Sequence, residues 1–319
     1  MTMPDSQASP SVCLVVLNYN GRQLLERFLP SIARTHYQPL ELVVVDNAST
    51  DDSVAWLQAN WPRVMVLAQK ENRGWSGGNN VGARYAIEKG HRYVLFANND
   101  IEPHPAWITE AVKLATLQPE YGIIGFRVFN LDLNRRAFEE ACAGLGGVEW
   151  REVKDVMGCS LFCNTALFET IGFFDEDYQF YVDETDFEYR ALQGGWRAAE
   201  LNLPVWHLSE ASTFRLGWRR SYLQMRNDIR FRVKLGGWRA TFSAVKTVLM
   251  QACHPRLRWD SQTEPWKDRY RPSCWPVNAA LALAAVGWNV WHLRRTRRAG
   301  RADRDRIERC RASRGRSTP

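Results

Sequence analysis

The densest concentration of side chains able to do chemistry lies between Gly172 and Arg190, GFFDEDYQFYVDETDFEYR. These nineteen residues hold seven acids (Asp175, Glu176, Asp177, Asp183, Glu184, Asp186 and Glu188) and seven aromatics. Aromatic rings favour burial and carboxylates resist it, so the mixture is unusual for a solvated face. Carboxylates held against apolar walls acquire raised pKa values and become candidate general bases. The same residues also read as a plain helix start. In that reading Asp183 caps a helix running to about Gly194, and Asp186 and Glu188 favour its positive end. Spacing alone leaves the two readings level, and the elements around the stretch must decide between them.

Those elements alternate. Apolar, β-branched runs at Val12–Leu17, Glu41–Asp46, Arg63–Ala68 and Arg92–Ala97 read as strands. Helical patterns follow three of them, over Gln23–Arg34 (with Pro30 inside), after Ser49-Thr50-Asp51-Asp52, and over about Asn80–Lys89. Continuous apolar strands separated by helices predict an α/β domain with a mostly parallel sheet covered on both faces. In such sheets ligands bind beyond the carboxyl ends of the strands. Three strands stop there on polar residues: Asn18 and Asn20, Asp46 and Asn47, and Asn98, Asn99 and Asp100. Asn and Asp are also turn formers, so one such end is weak; three at one edge favour a binding site. The turn Asn72–Asn80 lacks the glycine spacing of a dinucleotide fingerprint, and no phosphate-loop motif occurs. Its amides could still receive an anion at the following helix N-terminus. Leu131–Val153 is irregular, as suits a loop region over a substrate. Further strands are expected at Tyr121–Phe126, Val156–Cys163, Arg197–Leu201 and Pro204–His207, and helices at Thr165–Ile171 and about Trp218–Leu235. His207 by itself reads as a packed or turn histidine.

The formal charge of +7 is concentrated at one end. From Arg294 to Pro319 eleven arginines face three acids, a local +8 that leaves residues 1–293 at −1. The basic balance therefore describes a tail and not the globular body. Seven cysteines without a CxxC pair predict reduced thiols in a cytosolic compartment and no structural metal. The N-terminal residues MTMPDSQASPS lack the charged region and the cleavage site expected of a secretory signal.

Five blocks in order, VVLNYNG (15–21), VVVDNASTDDS (43–53), NRGWSGGNNVG (72–82), FANNDIEP (96–103) and IGFFDEDYQFYVDETDFEYRALQGGW (171–196), resemble the family 2 glycosyltransferases, with the nearest likeness to the rhamnosyltransferase-like branch. The resemblance covers roughly residues 12–235. It implies a GT-A fold and an inverting transfer from a nucleotide-diphospho-sugar assisted by Mg²⁺ or Mn²⁺. By position it implies that Asn18, Tyr19 and Asn20 frame the nucleotide and that Asp46 reads the base or ribose. Asn72, Gly74, Gly78 and Asn79 would continue the donor pocket. Asp100 matches the last acid of a metal-binding D-x-D whose first two positions are here Asn98 and Asn99, and His207 matches a second metal ligand. Asp183-Glu184 stands where the family carries Glu-Asp. Either carboxylate is then a candidate base, with Glu184 the match by position. Arg226-Asn227 match a pair on the following helix. The implied role is transfer of rhamnose or a similar hexose to a hydroxyl of a glycan or lipid-linked acceptor in surface polysaccharide synthesis. The expected place is cytoplasmic, peripheral at the inner face of the cell membrane. The rival from another class is a catalytically silent module of the same fold that binds a nucleotide sugar or glycan. A nucleotidyltransferase would need a basic, glycine-rich phosphate loop that VVLNYNG lacks.

The expected organisation is a disordered lead over 1–11, a catalytic domain over 12–235, a helical extension over 236–293 and a disordered arginine-rich tail over 294–319. Pro276–Leu293 is mostly apolar and precedes Arg294-Arg295-Thr296-Arg297-Arg298. A helix packed on the domain, a membrane-interface helix and a short span all fit it. With the tail to 316, it is the candidate contact with anionic lipid; the chain lacks the base-stacking aromatics of a nucleic-acid binder.

Overall fold

The computed structural model describes residues 9–130, 134–208, 217–253 and 275–314. Most of the expected lead, Cys274 and the last residues of the tail lie outside them. The sheet begins with β1 (Val12–Asn18), flanked by β2 (Leu40–Asp46) and β4 (Tyr93–Asn98), with β3 (Met65–Ala68) beyond β2. These four strands are parallel, and their register pairs Asn18 with Asp46 and Leu17 with Asn98. That register places the three polar strand ends side by side. Alternation along β1 serves two cores. Val12, Leu14 and Val16 face α1 (Arg22–Ile32) and α4 (Trp107–Leu117), while Cys13 and Val15 face α3 (Gly74–Glu88). Pro30 falls in the last turn of α1, two residues before its end.

Past β4 the sheet becomes mixed. β8 (Ser160–Asn164) runs antiparallel between β4 and β6 (Tyr121–Asn130), and β9 (Arg197–His207) runs parallel to β6. Short β5 (Ile101–Pro103) and β7 (Trp150–Val153) join β9 antiparallel. Among the described strands six run one way and three the other, so the α/β, mostly parallel GT-A architecture is borne out. The two expected segments of β9 are one strand. Pro204, which cannot donate to a ladder, is absorbed at a register shift opposite Phe126 and Arg127.

Two expectations need correction. The glycine-rich segment expected as a turn is the first part of α3, which starts at Gly74 and not near Asn80. Glycine disfavours helix in isolation, but here it lets α3 lie directly on β1. A Cβ at Gly78 would sit 2.3 Å from Leu17 Cδ1, and one at Gly82 would sit 2.4 Å from Val15 Cγ1. The arginine-rich tail expected to be disordered is, over its described part, α11 (Leu293–Arg314), docked on the helices Ala166–Ile171, Asp183–Gln193 and Trp218–Leu235. Thr296, Gly300 and Cys310 are buried at helical spacing, a pattern that net charge does not register. Arg311 donates to the carbonyl of Gln193 at 2.7 Å, and the Arg314 guanidinium lies 3.6 Å over the Trp196 ring. The arginines thus meet carbonyls and aromatic faces, which offsets their mutual repulsion.

The described parts of the extension are helical and pack on the last helix of the 12–235 segment. α9 (Trp238–Cys253) and α10 (Trp275–Trp291) share with α8 (Trp218–Leu235) a core of Ile229, Val233, Val248 and Ala282. One face of α10 therefore packs on the protein, as one of the three expectations had it. Among the described residues no helix is long and apolar enough to cross a membrane.

Candidate active site

The strand ends form one amide-and-carboxylate network. Asn18 Nδ2 donates to Asp46 Oδ1 at 2.9 Å, and Asn18 Oδ1 accepts from Asn99 Nδ2 at 2.7 Å. Ser49 adds two donors to Asp46, its hydroxyl at 2.6 Å and its backbone N–H at 2.9 Å. Gly21 must be small, since a Cβ there would fall 2.3 Å from Asn99 and 2.5 Å from Asn18. Asn20 adopts φ 48°, a conformation asparagine tolerates, and its side chain accepts from the Thr50 N–H at 2.7 Å. Tyr19 stands exposed beside it.

The next turn is tied to this network by Asn47, which sequence reasoning did not single out beyond its strand end. Its amide donates to Asn72 Oδ1 (3.0 Å) and to the Gly74 carbonyl (2.9 Å), and accepts from the Arg73 N–H (3.0 Å). Asn72 and Gly74 thus shape the turn that delivers Trp75, whose indole donates to Asn98 Oδ1 at 3.3 Å. Asn79 is buried on the same face of α3, and neither atom of its amide has a partner among the described residues.

Asp100 and His207, far apart in sequence, meet because β5 pairs with the end of β9, Ile101 opposite His207. The Asp100 carboxylate lies 3.3 Å from His207 Nε2, and Asn98 Nδ2 lies 3.4 Å from the same nitrogen. Burial disfavours the imidazolium, but the Asp100 carboxylate, with Cys159, outweighs it and holds the pKa well above the usual histidine value. Among the described residues no three His, Cys, Asp or Glu side chains gather as a metal cage. One carboxylate and one imidazole, both buried and converging, still suit a hard divalent cation that takes its other ligands from a substrate diphosphate and water.

The acidic stretch sorts itself. Lys234 Nζ lies 2.9 Å from Asp175, 2.7 Å from Asp186 and 2.8 Å from Asp303. Arg230 reaches Asp175 and Asp177 at 2.8 Å each, and Arg190 reaches Asp186 at 2.9 Å. Glu176 pairs with Arg73 at 2.6 Å. Glu188 is buried against the Val156 N–H, and its carboxyl is raised well above the usual range by that burial. Five of the seven acids are thereby structural. The other two are Asp183 and Glu184, at the first two positions of α7 (Asp183–Gln193), and neither pairs with a described cation. Asp183 is fully buried, accepts from Ser76 Oγ at 2.8 Å and shares a hydrogen bond with Glu184. Burial first, and the Glu184 charge second, push its pKa well above the carboxylate range. Asp183 does not cap the helix as expected: the N-cap is Val182, and no cap side-chain bond is made. Glu184 is half-buried, and a Cβ at Gly158 would lie 3.5 Å from both its carboxyl carbon and the Trp75 ring. Gly158 thus places Glu184 next to the indole that holds Asn98.

The backbone leading into the pair is strained. Gln179, Tyr181 and Val182 have φ of 66°, 67° and 68°, which is costly for residues with a Cβ and most so for a β-branched one. Asn227 holds it by donating to the carbonyls of Tyr178 (3.0 Å), Phe180 (2.6 Å) and Tyr181 (2.9 Å). Arg226 donates to those of Asp177 (2.7 Å) and Tyr178 (2.8 Å). The sequence reading matched this pair without a role; its role is to hold the loop that aims Asp183 and Glu184.

Residues 13–152 match the model of glycosyl transferase family 2. The low-salt glycan biosynthesis hexosyltransferase Agl10 of Haloferax volcanii is 27% identical, over 56% of this chain and 60% of that protein. The N-acetylglucosaminyl-diphospho-decaprenol L-rhamnosyltransferase of Mycobacterium tuberculosis is 24% identical, over 57% of this chain and 71% of that protein. Among solved structures, the mannosyltransferase PcManGT from Pyrobaculum calidifontis, in complex with GDP-Man and Mn²⁺, superposes with a TM-score of 0.55 at 18% identity, over 97% of this chain and 89% of that one. GalNAc-T7 with UDP, GalNAc and Mn²⁺ gives 0.58 at 14% identity, over 89% of this chain and 58% of that one.

Proposed function

We propose that the chain is an inverting hexosyltransferase that moves rhamnose or a similar hexose from a nucleotide-diphospho-sugar to a hydroxyl of a glycan or lipid-linked acceptor. The observation that carries this reading is the Asp183–Glu184 pair, which no described cation neutralises and which Gly158 and Trp75 set beside Asn98. The GDP-Man and Mn²⁺ bound to PcManGT and the UDP, GalNAc and Mn²⁺ bound to GalNAc-T7 support a nucleotide sugar and a divalent cation as the natural complement of that edge.

In this mechanism Asn18, Tyr19, Asn20 and Asp46 bind the nucleotide, with Asn72, Gly74, Gly78 and Asn79 shaping the adjoining wall and Asn98 and Asn99 the floor. Asp100 and His207 would hold a Mg²⁺ or Mn²⁺ ion, which supplies positive charge for the departing diphosphate. Glu184 accepts the proton of the acceptor hydroxyl as its oxygen bonds to the anomeric carbon and the bond from that carbon to the diphosphate oxygen breaks. Attack on the face opposite the diphosphate inverts the configuration. Asp183, whose carboxyl burial and the Glu184 charge push well above the usual range, orients Glu184 through their shared hydrogen bond. A lipid-linked acceptor would place the reaction at the inner face of the cell membrane, in surface polysaccharide synthesis. The test is release of nucleoside diphosphate from a panel of UDP-, dTDP- and GDP-sugars with and without Mn²⁺. A protein that binds one of them but releases no diphosphate with any acceptor is the silent module instead.

A further inference from the structure

Helix α10 is inside out. Its polar side chains point inward: Asn278 and Asn289 are buried, and Asn289 donates to the carbonyls of Arg226 and Ala285 at 2.9 Å each. Its outward stripe is Ala280, Leu283, Ala284, Gly287, Val290 and Trp291, at spacings of three and four and without a polar member. Leu283 is 64% exposed, Val290 68% and Trp291 86%. The helix contains no charged residue, whereas a helix facing water normally turns its polar side out. Immediately beyond it Arg294, Arg297 and Arg298 are exposed. On the neighbouring α9 the outward residues include Trp238 and Phe242, beside exposed Arg239 and Lys246. A contiguous apolar face of this kind marks an interaction site.

We propose that the outward faces of α10 and α9 seat this protein on an anionic lipid surface, with α10 lying flat in the headgroup boundary and Arg294, Arg297 and Arg298 on the phosphates. Among the described residues no helix can span a bilayer, so the apolar stripe lies in the interface. Tryptophan beside arginine suits that boundary, where the ring is half in hydrocarbon and the cation meets phosphate. A second copy of this chain fits less well, because α9 and α10 contain no acidic residue to meet Arg294, Arg297 and Arg298 across a symmetric contact. The inference deepens the lipid-linked-acceptor part of the function proposed above by naming the surface that meets the membrane.

The test is flotation of the full chain with vesicles of equal parts phosphatidylcholine and phosphatidylglycerol, and with phosphatidylcholine alone. Wild type should float with the anionic vesicles and weakly or not at all with the neutral ones. The variant Leu283→Ser/Val290→Ser/Trp291→Ser should bind roughly tenfold or more weakly, with an unchanged circular-dichroism spectrum. Trp291→Ser alone is the milder control and should lose a few-fold. Arg294→Ser/Arg297→Ser/Arg298→Ser should lose roughly fivefold per arginine on anionic vesicles only. The proposal is overturned if wild type stays with the soluble fraction on both vesicles, or if the triple serine variant of α10 floats like wild type. It is equally overturned by a dimer in sedimentation velocity that this variant dissolves, which assigns the face to a second copy. Flotation without any sugar transfer keeps the surface and removes the catalytic reading; transfer to a soluble acceptor without flotation does the reverse.

Discussion

Two sets of carboxylates stand within one short stretch and are handled in opposite ways. Asp175, Asp177 and Asp186, joined by Asp303 from α11, are packed against Arg190, Arg230, Lys234 and Arg295. Their negative charge is compensated, and the lowered pKa of Asp175 records it: burial raises it, but Lys234 and Arg230 outweigh burial. Asp183 and Glu184 have hydrogen bonds but no described cation, and burial instead raises Asp183. The difference teaches how to separate scaffold from chemistry among identical residue types. In the proposed mechanism the carboxylate that takes up a proton is the one kept away from arginines, which would make it a poor base.

The largest effect should come from the uncompensated pair. Glu184→Gln is expected to lower the rate of transfer by roughly two to four orders of magnitude while the melting temperature stays near that of wild type. If both Glu184→Gln and Asp183→Asn transfer at the wild-type rate, the division between the two sets is wrong. Breaking the compensated set should act on stability. Lys234→Met leaves three acids short of their shared cation and is expected to cost about 3–5 kcal/mol in urea denaturation.

Opposite pKa directions should give opposite pH signatures. Folded Asp183 keeps a proton that the unfolded chain releases above the ordinary aspartate value, so it weakens the fold as pH rises from that value toward neutral. Asp183→Asn should therefore gain on wild type from acid to neutral pH. Folded Asp175 holds its charge below the unfolded value, so its contribution is present above that value and lost as pH falls through the acid range. Asp175→Asn should accordingly cost most near neutrality and least in acid, and denaturation curves across pH would reveal identical trends if the comparison were false. The smallest effect belongs to the rim: Arg295 is 67% exposed, and Arg295→Ala should cost less than about 1 kcal/mol.

Much of the fold was legible because its signals are local. The apolar runs of β1, β2 and β4 and their polar ends at Asn18, Asp46 and Asn98 are written in consecutive residues, and parallel pairing then aligns them. The start of α3 was not legible, since glycine disfavours helix, and the reason for Gly78 appears only when Leu17 is there to pack against. Nor was α11, because a run of arginines reads as solvated charge until Lys234, Gln193 and Trp196 appear as its neighbours.

By itself, the sequence determined the likeness to glycosyl transferase family 2 over residues 13–152, the order of the elements and the stretch that holds the candidate carboxylates. It determined these because residue type and short-range spacing suffice for strand, helix and motif. Only the tertiary structure decided which of the seven acids meet cations and which, Asp183, Glu184 and Glu188, have none among the described residues, that Asp100 reaches His207 through the β5–β9 pairing, and that α10 shows its apolar side to the outside. Charge compensation and burial depend on neighbours more than a hundred residues away, such as Asp303 and Arg295 beside the loop at Asp175–Asp177, and no local pattern carries that information.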